Sequence, residues 1–229
     1  GLISLAMVGA ISFGQLLLAD DTASGAPSAT PTSWNNTLYN GRTTKRVKLG
    51  PIIERANGGD VIVLSEKHDD KTHHDNQLLL LQKLGDAHPH TKVSVAMEFI
   101  DYTKQSDLEH YLEGFLSEAD FLKNVGWGKI PFEFYRPLLH AANKNDGEAY
   151  GINLPQNVAT KIFMNGVAGL TESERALLPK DFTLGNALYK KRVEEAANQH
   201  PAPSTFLNVF AEQSISNRAF SVSRTQGDF

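Results

Sequence analysis

Val61-Ile62-Val63-Leu64-Ser65-Glu66-Lys67-His68-Asp69 is the stretch on which the reading of this chain turns. Its first five residues are compact and mostly β-branched, and the turn Gly58-Gly59-Asp60 precedes them, so 61–65 reads as a buried strand. A polar Glu66 follows it. The pattern recurs: Val93-Ser94-Val95-Ala96-Met97 runs into Glu98, and Ala149-Tyr150-Gly151-Ile152 into Asn153. Between these strands the period changes. Residues 77–84 carry Leu78, Leu80, Leu81 and Leu84 on helical spacing, with Thr72 and Asp75 placed as a capping box ahead of them. Further helices are expected at 104–113, 119–124 and 133–143, and Pro155 opens another at its first turn, where a missing N–H costs nothing. Segments 172–178, 186–199 and 203–215 add a helical region beyond Gly169. Strand and helix in alternation define an α/β fold, a mostly parallel sheet flanked by helices.

In open parallel sheets, ligands sit in the crevice beyond the carboxyl ends of the strands. Glu66, Glu98 and Asn153 either converge there or cap neighbouring turns. His68 lies two residues after Glu66, so an extended backbone puts both side chains on one face. His73 and His74 fall at the start of the next helix, where unpaired N–H groups and the helix dipole favour an anion. Glu66, His68, His73, His74 and Glu98 form a group rich in ligand and proton-transfer chemistry. It lacks the spacing of a helical zinc site, so by itself it specifies neither metal nor reaction. Trp127, Phe132, Phe134 and Tyr135 precede Arg136-Pro137-Leu138-Leu139. They are core packing, or else they wall a flat apolar cofactor, with a Tyr135 phenolate for ferric iron and basic Arg136 near propionates.

Composition narrows the alternatives. The 229 residues are 41% hydrophobic and 21% charged, ordinary globular usage. Twenty-two basic against 26 acidic residues leave a net charge of −4, which gives no reason to expect nucleic acid. No cysteine is present, so disulfides, thiolate metal sites and lipidated cysteines are excluded within this sequence. Residues 1–19 are uncharged and apolar, as in a signal peptide or an N-terminal anchor, and both imply export. Residues 20–33 read as a flexible linker, 34–215 as the folded domain and 216–229 as a polar tail. Arg42, Lys45, Arg46 and Lys48 form a short basic stretch, a solvated face or an anion site.

Several separated segments together resemble the ChaN-like haem-binding proteins of the Tiki superfamily. They are 61–69, the His73-His74 helix, Val95-Ala96-Met97-Glu98-Phe99, Trp127 with Phe134-Tyr135-Arg136-Pro137-Leu138, and Ile152-Asn153-Leu154-Pro155. The resemblance implies an exported haem-binding protein of the periplasm or cell envelope, membrane-associated in some members and serving bacterial iron acquisition. Ferric haem is then ligated by a tyrosine, matched here by Tyr135, and can sit between two chains as a haem-linked homodimer. His73, His74, Trp127 and Arg136 are the candidate haem contacts. Envelope or outer-membrane haem-uptake components become candidate partners, and no turnover is required. Related Tiki, TraB and erythromycin-esterase-like proteins, some of them metal-dependent hydrolases, imply an alternative. There a divalent metal ion would be held by Glu66, His68, His74 and Glu98, with Glu66, His68 and Glu98 catalytic. The chain departs from its relatives in three respects. Ser65 stands where they carry Gly, their lipoprotein cysteine is absent, and the C-terminal part of the family fold, a further strand and a Gly-His segment, is expected to be missing.

Overall fold

The computed structural model describes residues 2–9, 33–34, 37–144, 146–180, 186–191 and 195. In chain order the elements are β1 (Leu2–Gly9), β2 (Leu38–Tyr39), β3 (Arg46–Val47), α1 (Gly50–Arg55), β4 (Val61–Glu66), α2 (Lys71–Ala87) and β5 (Lys92–Asp101). They continue as α3 (Gln105–Leu112), α4 (Glu118–Val125), α5 (Arg136–Lys144), β6 (Ala149–Asn153), α6 (Gln156–Asn165) and α7 (Glu172–Arg175). The chain divides into two compact units. The first comprises Gly1–Glu98 with Leu108–Tyr150, and the second Phe99–Asp107 with Gly151–Phe229.

The expected α/β architecture is present. A four-stranded sheet has the order β4-β1-β5-β6, and β1 pairs in parallel with both β4 and β5. β4 starts where Gly59, at φ 95°, turns the chain and the Asp60 carboxylate accepts the Asn57 N–H at 2.9 Å. Glycine enters that left-handed region without a Cβ clash. β5 is interior: Val93, Ser94, Val95 and Met97 have no exposure, as expected where both faces of a parallel strand are covered. Ser94 is tolerated because its hydroxyl accepts the Glu148 N–H at 2.9 Å. Gly147 permits close packing beside that contact, since a Cβ there would lie 2.1 Å from the Val93 carbonyl oxygen.

α2 is longer than its leucine pattern indicated and starts differently. Asp70 caps it by accepting the Thr72 N–H at 2.9 Å, while Asp75 takes the Lys71 ammonium at 2.7 Å, so the expected Thr72/Asp75 box is not formed. Leu78 to Leu81 and Leu84 are all buried on this helix. The helix expected at 133–143 is broken: a 3-10 turn, Phe132–Phe134, precedes α5. Tyr135 sits at the junction, and Pro137 occupies the first turn of α5, where it needs no N–H partner. In the second unit, Leu154, Val158, Ile162, Leu170 and Leu178 form a separate apolar cluster. The helix expected at 172–178 is only Glu172–Arg175, begun by a Thr171/Glu174 capping box. Residues 187–191 are helical within the expected 186–199, whereas 203–215 and the tail at 216–229 lie outside the described residues, as does the linker except Ser33.

The largest difference concerns the N-terminus. The stretch expected to be an export segment supplies β1, with Ser4 opposite Val61, Gly9 opposite Glu66, Leu2 opposite Lys92 and Met7 opposite Met97. A short uncharged apolar run serves a signal core and an interior parallel strand equally well, which is why the pattern alone did not separate them. No helix among the described residues is long and apolar enough to cross a membrane. Because β1 supplies the backbone partners of both β4 and β5, deleting residues 2–9 is expected to abolish the cooperative unfolding transition followed by circular dichroism. A truncated chain melting like the full one would show that β1 is dispensable.

Candidate functional site

Glu66 ends β4 and is 4% exposed. A carboxylate at that depth is costly unless donors surround it, and they do. The Tyr135 hydroxyl donates to Oε1, which lies 3.1 Å from His68 Nδ1. Gln77 Nε2 donates to Oε2 at 2.5 Å, with His74 Nδ1 3.4 Å from the same oxygen. Burial works against ionising Glu66, but Tyr135, Gln77 and His68 as donors, with the charge of His74, outweigh it and hold its carboxyl below the ordinary range. The strand end, the first turns of α2 and the junction before α5 are thereby tied to one carboxylate.

Tyr135 has no exposure. Burial first, then donation to Glu66 and the negative charges of Glu66 and Glu98, push its phenol far above the ordinary tyrosine value. In this arrangement its hydroxyl donates to Glu66. Aromatic rings close around it. Trp127 approaches edge-on at 5.3 Å, as does His74 at 4.7 Å, and Phe134 stacks on His74 at 4.8 Å. The Trp127 indole N–H is spent on the Ile130 carbonyl at 2.8 Å. Trp127 and Phe134 are half-buried, whereas the Tyr135 between them and Glu66 is enclosed.

The other expected site residues divide. His74 is brought to Glu66, but its Nδ1 faces Gln77 and Glu66 oxygens and its Nε2 the His68 carbonyl at 3.1 Å, which leaves no lone pair for a metal in this arrangement. His73 accepts the Lys67 N–H on Nδ1 at 2.8 Å, and its Nε2 lies 3.8 Å from Asp70. It organises the loop between β4 and α2. Glu98 is half-buried and close enough for its charge to act on Tyr135. Arg136 is not held ready for propionates: Nε and Nη2 both grip Glu118 at 2.6 Å, and the guanidinium lies 5.5 Å from the centre of the Phe132 ring. That fork pulls the Glu118 carboxyl down and the guanidinium up. Tyr111 joins the pair by donating to Glu118 at 3.1 Å, and burial together with Glu118 pushes its phenol up to about 12. Asn153 accepts the N–H of the adjoining Leu154 at 2.8 Å, capping its own turn. Among the described residues, no group of three or more His, Asp or Glu is arranged to hold a metal ion. The divalent-metal set Glu66, His68, His74 and Glu98 is therefore not assembled.

Gln77 is the functional neighbour that the sequence reading missed. It lies three residues after His74 on α2, hence on the same helical face, and that spacing was the available signal.

The structure is an α/β sheet with a polar cluster at the end of one strand, and comparison with known proteins identifies its family. Residues 52–226 match the family described as haem-binding uptake, Tiki superfamily, ChaN, and the chain belongs to that family. A solved structure of ChaN from Campylobacter jejuni, which shows cofacial haem binding to that protein, is similar in fold. It is 18% identical, covers 81% of this chain and 73% of its own, and has a TM-score of 0.61. No curated protein matches the chain. Haem is thus the ligand class that the family supports.

The donor set fits that ligand in part. Tyr135 is enclosed in this structure and donates to Glu66. His68 stands at the edge of the cluster: its side chain is 24% exposed, and Glu66 accepts from its Nδ1–H. Carboxylate-oriented imidazoles of this kind are usual among metal-ligating histidines.

Glu66 also dictates an acid response. Its folded carboxyl titrates below its unfolded value, so its stabilisation is complete above the ordinary carboxylate range, about 4 to 5, and is lost as pH falls through the folded value. Glu66→Gln should lower stability at pH 7 by about 1.5–3 kcal/mol, as expected for hydrogen bonds to a charged group. It should also flatten the loss between about pH 5 and 3. Urea denaturation at a series of pH values measures both.

Proposed function

We propose that this chain is an exported haem-binding protein that takes ferric haem at the open rim of the Glu66 cluster, with His68 as the iron's imidazole donor. The observation that carries the reading is the Glu66–His68 contact, a buried carboxylate setting the tautomer of a part-exposed imidazole. Haem, when bound, would supply the iron that such a protein carries in haem or iron acquisition. Glu66 orients His68. Tyr135 and Gln77 hold Glu66 in place, so these two are positioning residues. Trp127 and Phe134 offer the half-buried aromatic surface against which a flat apolar ring packs. Export and a second copy sharing the haem both draw on the resemblance to ChaN-like proteins.

Titration of the purified full chain with ferric haem tests the reading through the absorption spectrum. A saturable shift of the main haem band is expected. His68→Ala should abolish the protein-specific spectrum, while Tyr135→Phe should keep the band position and weaken affinity by less than about tenfold, the effect of losing one neutral donor to Glu66. No saturable change in the full chain would overturn haem binding. Loss of the spectrum in Tyr135→Phe but not in His68→Ala would overturn the His68 assignment and make Tyr135 the ligand.

A further inference from the structure

A cavity of about 650 Å³ lies at the other end of β4, bounded by the β2–β3 hairpin, α1 and the first residues of the strand. Along β4 it is about 17 Å from Glu66 at the strand rise of ~3.3 Å per residue, so it is separate from the haem site proposed above. Its size suits a small molecule. Its lining is mainly apolar and oddly exposed: Tyr39 is 62% exposed, Ile52 42% and Val47 37%, while Val61 adds the strand wall. Small folded domains seldom leave adjoining apolar side chains in water without a use for them.

Two cations stand in this lining, Lys48 and Arg55, and both are exposed. The ion pairs among the described residues include neither. The one acidic group in the wall, Asp60, is already spent on the Asn57 N–H at 2.9 Å. Two positive charges against one negative leave a net single positive charge beside an apolar surface. Lys48 belongs to the basic stretch of the sequence, but only folding brings it together with Arg55 from α1.

We propose that this cavity binds a long-chain monocarboxylate, its apolar body against Tyr39, Val47, Ile52 and Val61 and its carboxylate at Lys48 and Arg55. One net positive charge matches one carboxylate, and Arg55 offers the planar fork suited to it. The apolar wall supplies affinity through burial, and the cations select the headgroup.

Calorimetric titration of the full chain with oleate, kept below its aggregation concentration, tests this. Saturable binding is expected, with Arg55→Met and Lys48→Met each weakening it about tenfold, the worth of one charge-assisted contact, and with methyl oleate failing to bind. Both positions are exposed, so melting temperatures should be unchanged, and the ferric-haem spectrum should be the same in these variants. Oleate binding that ignores both substitutions, equal binding of methyl oleate, or no saturable binding would overturn the proposal. Saturable binding of protoporphyrin IX lost in both variants, without oleate binding, would also overturn it by assigning the cavity to a dicarboxylate. Failure here with an intact haem spectrum leaves the haem reading standing, and the reverse result separates the two equally well.

Discussion

A carboxylate buried at the end of a parallel strand has to be surrounded by donors, and Glu66 is that carboxylate. Its two oxygens collect Tyr135, His68, Gln77 and His74 from three separate segments of the chain. Each hydrogen bond to a charged group is worth about 1.5–3 kcal/mol, and a buried charge deprived of its partners costs more than any one of them returns. The cluster therefore stands or falls together. It also assigns work to its members: Tyr135 and Gln77, both buried, donate hydrogen bonds to Glu66, and the part-exposed His68 is oriented by it.

The division between enclosed and rim groups changes what the aromatic segment is for. A tyrosine beside arginine and a tryptophan resembles a haem-ligating arrangement in sequence, yet a phenol pushed up by burial and by two carboxylates is poorly suited to becoming a phenolate where it stands. Arg136 is likewise committed, to Glu118 and not to a ligand. The haem-binding family and the fold agree with the expectation, and the proposal made above puts the iron on the imidazole held by the same carboxylate.

The polar strand ends were legible in sequence because the first polar residue after an apolar run stands out; β5 is buried as such a run implies, whereas β4, expected to be buried, is not, since Val63 is 54% exposed and Ser65 is exposed. Glu66, His68 and the proximity of Tyr135 came from that pattern together with the family resemblance. Partners distant in sequence were not legible: nothing local joins Arg136 to Glu118 eighteen positions earlier. For Asn153 the pattern left both readings open, because a short polar side chain after a strand caps its own loop as readily as it meets a ligand. Hydrophobicity without period does not tell a strand such as β1 from an export core. The two-residue strands β2 and β3 and the short α1, which wall the second cavity, are too brief to leave any periodic signal.

Iron-edge anomalous diffraction from crystals of the haem-loaded full chain tests the role of Glu66 most directly. The expected map places the iron within bonding distance of His68 Nε2, with the Tyr135 hydroxyl still on Glu66. An iron peak bonded to the Tyr135 oxygen, with the Glu66 contact broken, or a peak remote from this strand end, would contradict it.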